Sequence, residues 1–217
     1  MLNPKAVDEK NKEFLNELEN FFENYNLDFM KLDEDKSGKR PDYFVHSKID
    51  KTLGFICECK YVASAGCIDY GQYHISMYDL NLGRRNKGLF EFHSLLKIQS
   101  VITDALYQYN GLINDKSEYR SYPFVIAAEL DFFADCFEAI PRDLFGLKEI
   151  SAIMKIEKNV ELNKALWKYS LEELEKIATG QILVNPPPES TRFKVLLNNL
   201  AIIPFYPTMF FDNPIIC

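Results

Sequence analysis

Residues 40–61, Arg-Pro-Asp-Tyr-Phe-Val-His-Ser-Lys-Ile-Asp-Lys-Thr-Leu-Gly-Phe-Ile-Cys-Glu-Cys-Lys-Tyr, constrain this chain more than any other stretch. Two β-type runs, 43–46 and 53–61, flank a polar turn at 47–52. A hairpin centred near Asp50 pairs residues whose numbers sum to about 100, which sets Asp42 opposite Glu58. Side chains alternate along a strand, so Glu58 and Lys60 share one face while Cys57 and Cys59 take the other. Asp42, Glu58 and Lys60 then converge. Burying two carboxylates and an ammonium against apolar strands is costly unless a cation or ligand compensates them. The spacing points to a divalent-metal site with a lysine beside it.

The order Pro41-Asp42, a gap, then Glu58-Cys59-Lys60 resembles the PD-(D/E)xK nuclease superfamily. The Asp opens one strand and Glu-x-Lys lies inside the next, which is the context the short motif needs. The resemblance implies an α/β restriction-endonuclease-like core in the order α-β-β-β-α-β, a central mixed sheet flanked by helices. It implies Mg2+-dependent (or Mn2+-dependent) phosphodiester hydrolysis, with Asp42, Glu58 and Lys60 as the catalytic set. The metal ligands would be Asp42, Glu58 and the backbone carbonyl of Cys59. In that family the first helix often adds an acid near the metal, for which Glu17 is the candidate. The helix after Glu-x-Lys often carries a Gln, and Gln108 and Gln72 both remain open for that place. His46 shares the strand face of Asp42 and is a further auxiliary candidate.

The net charge of −7 argues at first against a polyanionic partner. Its distribution argues otherwise. Residues 1–35 carry four basic and ten acidic groups, whereas residues 36–100 carry ten basic and six acidic. The basic stretch surrounds the candidate site, and Lys39, Arg40, Arg84, Arg85 and Lys87 are expected to contact a nucleic-acid backbone. DNA is expected before RNA. No run of 18 apolar residues occurs, so no membrane span is expected. The first residues lack an apolar signal region, and the five cysteines (57, 59, 67, 136 and 217) are odd in number. They read as reduced thiols of a cytoplasmic protein. A zinc site from Cys57, Cys59, Cys67 and His74 is disfavoured, because Cys-x-Cys fits no common finger spacing.

Apolar residues at helical spacing, Phe14, Leu18, Phe21, Phe22 and Tyr25, predict an amphipathic helix over 8–25. Residues 27–32 follow as the first strand of a meander. A second helix is expected over 89–113 and a central strand over 122–130, whose apolar run is near-continuous. These make a core of residues 1–140 with an insertion at about 62–89. Residues 141–217 read as a helical C-terminal extension packed on that core, with helices over 144–157, 160–178 and 191–200. The apolar tail 202–211 is expected either to pack on the domain or to form a homodimer contact.

Two functional classes follow. One is a Mg2+-dependent endonuclease of restriction or repair type. The other is a non-catalytic nucleic-acid-binding or protein-interaction module on the same fold.

Overall fold

The computed structural model describes residues 4–32, 40–62, 87–130, 137, 140–158, 170, 172–173, 176, 181, 191–211 and 214–216. Helix α1 (Pro4–Asn24) opens the chain and strands β1 (Leu27–Lys31), β2 (Tyr43–Ser47) and β3 (Gly54–Val62) follow. Helix α2 (Lys87–Asp115) leads to β4 (Phe124–Leu130), then β5 (Ala152–Lys158), β6 (Thr191–Leu197) and β7 (Ile215–Ile216). The seven strands among the described residues form one mixed sheet in sequence order. The β1–β2, β2–β3 and β5–β6 pairs are antiparallel, and β3–β4, β4–β5 and β6–β7 are parallel. The chain is thus α/β, with no helix among the described residues long and apolar enough to cross a membrane.

Alternation along the strands gives the sheet two apolar faces. Phe14, Leu18 and Phe22 of α1, one turn apart, are fully buried against Val45, Phe55 and Cys57. Ile102, Ala105 and Leu112 of α2 cover the other face, against Ile56, Phe124 and Ile126. Helix α1 ends at Asn24, and Asn26 in the turn beyond it takes φ 56°, a left-handed conformation that asparagine tolerates. Strand β4 is buried on both faces, as a near-continuous apolar run in a parallel pair should be.

The β2–β3 register is the expected one: Tyr43 faces Cys57, Phe44 faces Ile56 and Val45 faces Phe55. The turn chemistry explains it. Ser47 Oγ accepts from the N–H groups of Ile49 and Asp50, and Asp50 Oδ1 accepts from the N–H and hydroxyl of Thr52. Gly54 closes the hairpin where a Cβ would lie 2.9 Å from both the Phe44 ring and the Val45 carbonyl oxygen. Gly54→Val is therefore expected to destabilise the fold by about 1–3 kcal/mol. An unchanged urea midpoint would show that the hairpin accommodates the side chain.

The C-terminal third differs from the helical extension expected for it. The expected helix 144–157 is broken at Leu144, Phe145 and Gly146, whose φ values are 46°, 60° and 79°. Beyond the break, Ala152, Met154 and Ile156 line the α1 face and Ile153 the α2 face, which is strand alternation. The expected helix 191–200 is β6, where Phe193 and Val195 face the α1 core and Leu196 the other. The helix expected at 160–178 lies outside the described residues except at 170, 172–173 and 176. Of the tail, Phe205, Phe210 and Phe211 are buried, with Phe205 and Phe210 at 5.2 and 5.0 Å from the Phe55 ring. The tail therefore packs on the α1 face. Buried Ser151 ties it there, accepting from Phe124 N–H at 3.0 Å and donating to the Ile203 carbonyl at 2.6 Å.

Candidate active site

Asp42 immediately precedes β2, and its carboxylate bridges to the neighbouring strand, where Oδ2 accepts from the Cys59 N–H at 2.6 Å. The carbonyl of Asp42 accepts from Leu32 N–H at 2.9 Å, so the residue is held from both sides. Glu58 lies in the middle of β3, only 1% exposed, on the α2 face by strand parity with Ile56 and Val62. Lys60 follows on the same face, and its Nζ is ion-paired with Glu58 Oε1. Cys57 and Cys59 point to the α1 face as buried thiols with sulfurs 4.0 Å apart. Asp42, Glu58 and Lys60 are thus brought together.

The third element of the site comes from α2. The Gln108 amide, oriented by its hydrogen-bond partners, turns its nitrogen to Glu58 and donates to Oε1 at 2.6 Å and Oε2 at 2.8 Å. The same nitrogen lies 3.2 Å from the Arg40 carbonyl oxygen. Gln108 therefore joins β3 to the segment that carries Asp42. Gln72, the other candidate for this place, lies outside the described residues.

Burial pushes the Glu58 carboxyl up to about 8, and the negative charge of Asp42 adds to the shift. The Lys60 amine, the Asp42 backbone and the Lys60 hydrogen bond pull the other way without matching it. The ion-pair geometry favours the carboxylate while burial favours the acid. A further cation beside the two carboxylates would favour the charged form of Glu58.

The remaining candidates separate cleanly. His46 shares the face of Asp42 but pairs opposite Gly54, at the turn end of the hairpin, four residues or about 13 Å along β2. Its Nδ1 lies 3.3 Å from the Ser47 carbonyl oxygen and its ring packs on Phe44, so it is a strand residue and not part of the site. Glu17 is exposed on α1, the helix covering the opposite face from Glu58. From that helix it is Asn11 that reaches the end of β3, its Oδ1 accepting from Tyr61 N–H at 3.2 Å. Arg40, expected on a nucleic-acid backbone, is 9% exposed and bonded through Nη2 to Asp115 Oδ2 at 3.1 Å. In this arrangement it latches the segment before Asp42 to the end of α2. Lys39, Arg84 and Arg85 lie outside the described residues, and Lys87 is the first residue of α2.

Asn11 and the Arg40–Asp115 latch carried no sequence signal, since each joins residues 50 or 75 positions apart. Among the described residues no group of three or more His, Cys, Asp and Glu gathers at one point. The two carboxylates at this site are hard oxygen donors suited to Mg2+, which commonly binds one or two protein carboxylates and keeps its waters. The mutual repulsion of Asp42 and Glu58 is the observation a cation would relieve. Compared with protein-family models, curated proteins and solved structures, the chain matches none.

Proposed function

We propose that this chain is a Mg2+-dependent endonuclease that hydrolyses phosphodiester bonds, with DNA as its substrate. One observation carries the reading: a buried Glu58 meets Lys60 and the Gln108 amide on the face to which Asp42 belongs. The element order α1, β1, β2, β3, α2, β4 agrees with the restriction-endonuclease-like core that the motif implies. Such a set does not suit a surface hairpin, because an exposed carboxylate would need neither burial nor an amide clamp.

In this reading Asp42, Glu58 and the Cys59 carbonyl would hold a Mg2+ ion, which would supply Lewis-acid chemistry when bound. The chain's own groups do the rest. The Cys59 N–H orients Asp42, and Gln108 fixes the plane of the Glu58 carboxylate. Lys60 places its amine beside Glu58, where it can orient the attacking water or stabilise charge developing on phosphorus. The non-catalytic module is the second reading, favoured by Arg40, an expected backbone contact that is buried and bonded to Asp115 instead.

Calorimetric titration with Mg2+ and Mn2+, followed by incubation with supercoiled plasmid, separates the two. The hydrolase reading expects saturable binding and nicking that EDTA abolishes. A protein that binds neither cation and leaves the plasmid supercoiled is not this enzyme.

A further inference from the structure

The β2–β3 ladder ends where Tyr43 pairs with Cys57, so Asp42 lies one residue beyond the last paired position. Strand pairing with β3 therefore does not by itself fix where the Asp42 carboxylate sits. On one side the Asp42 carbonyl accepts from Leu32 N–H at 2.9 Å. On the other, the chain arrives through Arg40 and the buried Pro41, whose ring locks φ at about −65°. The direction given to Arg40 is thus passed on to Asp42.

Arg40 meets α2 at two points. Its carbonyl oxygen lies 3.2 Å from the Gln108 amide nitrogen, the same nitrogen that donates to both oxygens of Glu58. Its Nη2 donates to Asp115 Oδ2 at 3.1 Å. Positions 108 and 115 stand about 10.5 Å apart along the helix axis, so the two anchors fix both the place and the direction of Arg40. The charge placement is also unusual. A carboxylate in the last turn of a helix meets the negative end of the helix dipole and is disfavoured there. No basic residue occupies the last turn of α2, and Arg40 supplies the opposing charge from outside the helix.

We infer that Arg40 and Asp115 are positioning residues of the candidate site. Their pairing seats the segment that carries Asp42 against α2, so that Asp42 reaches the Cys59 N–H while Gln108 holds Glu58, and the two carboxylates are presented together to one divalent cation. Neither residue touches the substrate or the cation. That the carboxylates take Mg2+ rests on the hydrolase reading, while the latch itself rests on the two contacts to α2. The burial that removes Arg40 from a nucleic-acid backbone is what lets it serve here, its side chain being 7% exposed.

The test reads the metal-free protein first. Amide spectra of the isotope-labelled full chain in EDTA are compared for wild type, Asp115→Asn, Arg40→Lys and a control, Glu118→Gln, altered at an exposed acid beyond α2. The Cys59 N–H, bound to a carboxylate oxygen at 2.6 Å, should resonate well downfield. Asp115→Asn and Arg40→Lys are expected to move it upfield and to shift the Gln108 side-chain amide, with Glu118→Gln leaving both in place. Lysine keeps the charge but lacks the planar fork, so a loss in Arg40→Lys separates geometry from charge. Calorimetric titration then expects Mn2+ affinity about tenfold weaker in both latch variants, the scale on which residues that orient metal ligands act, and unchanged in Glu118→Gln. Should Arg40→Lys fail to fold, Asp115→Asn decides alone, its side chain being 60% exposed. Unmoved Cys59 and Gln108 resonances in folded Asp115→Asn, or wild-type Mn2+ affinity there, overturn the latch and leave the hydrolase reading standing. Moved resonances in a protein that binds no Mn2+ keep the latch and remove the hydrolase.

Discussion

If the chain is the proposed hydrolase, Lys60→Met and Asp42→Asn are each expected to lower Mg2+-dependent cleavage by about 10³-fold or more, with the fold intact. That size is what loss of a group acting on transition-state charge, or of a metal-binding carboxylate, typically costs. Asp42→Asn is the sharper variant, because its amide oxygen can still accept from the Cys59 N–H that Asp42 now holds at 2.6 Å. It removes charge and leaves the bridge between β2 and β3. Lys60→Met keeps the length and apolar stem of the side chain while removing the amine paired with Glu58. Lys60→Arg should fail as well, since a guanidinium is wider and always protonated. Cleavage of supercoiled plasmid by purified, folded variants is the measurement. Either variant cutting at the wild-type rate would remove Asp42 or Lys60 from the chemistry.

In the absence of metal, Glu58 is expected to make the protein less stable as pH rises from about 4.5 to about 8. The sign follows from Glu58, whose carboxyl is raised from 4.5 to about 8 in the folded state, chiefly by burial. In that window the folded chain keeps a proton that the unfolded chain releases, so raising the pH favours unfolding. Below the window both states are protonated and the stabilisation is complete. Above it both are ionised and it is lost. For a group 1% exposed the contribution is on the order of a few kcal/mol. Urea denaturation in EDTA between pH 5 and 8.5 reads it directly. Glu58→Gln should flatten the slope relative to wild type, and millimolar Mg2+ should flatten it in wild type alone by binding the carboxylate form. Parallel slopes for wild type and Glu58→Gln in EDTA would show that the carboxyl titrates normally.

These expectations depend on a site whose parts were unequally legible in the chain. Turn residues and alternating apolar residues are local signals. Ser47, Asp50 and Thr52 fold the 47–52 loop on themselves, so the hairpin register, and with it the convergence of Asp42, Glu58 and Lys60, can be read residue by residue. The separation of Cys57 and Cys59 onto the opposite face follows from the same two-residue period. Helices α1 and α2 and strand β4 were equally plain, since each carries a single period over a long run.

Ambiguity enters where two periods coincide. Ile150, Ile153, Met154 and Ile156 satisfy helical spacing as readily as strand spacing, and only the partner decides between them. Strand β4 presents an edge on which β5 pairs in parallel, β6 then pairs on β5, and the residues read as helix become sheet. Propensity is worth fractions of a kcal/mol per residue, less than a full ladder of hydrogen bonds with both faces buried.

What the amino-acid sequence determined alone is the local half of this protein: two amphipathic helices, a hairpin with its register, and the carboxylates and amine on one of its faces. Tertiary structure set the Gln108 amide against Glu58 and tied Arg40 to Asp115. The reason is physical. Alternation and turn chemistry act over a few residues, whereas burial and strand pairing join groups tens of positions apart, and no local pattern encodes which of them will meet.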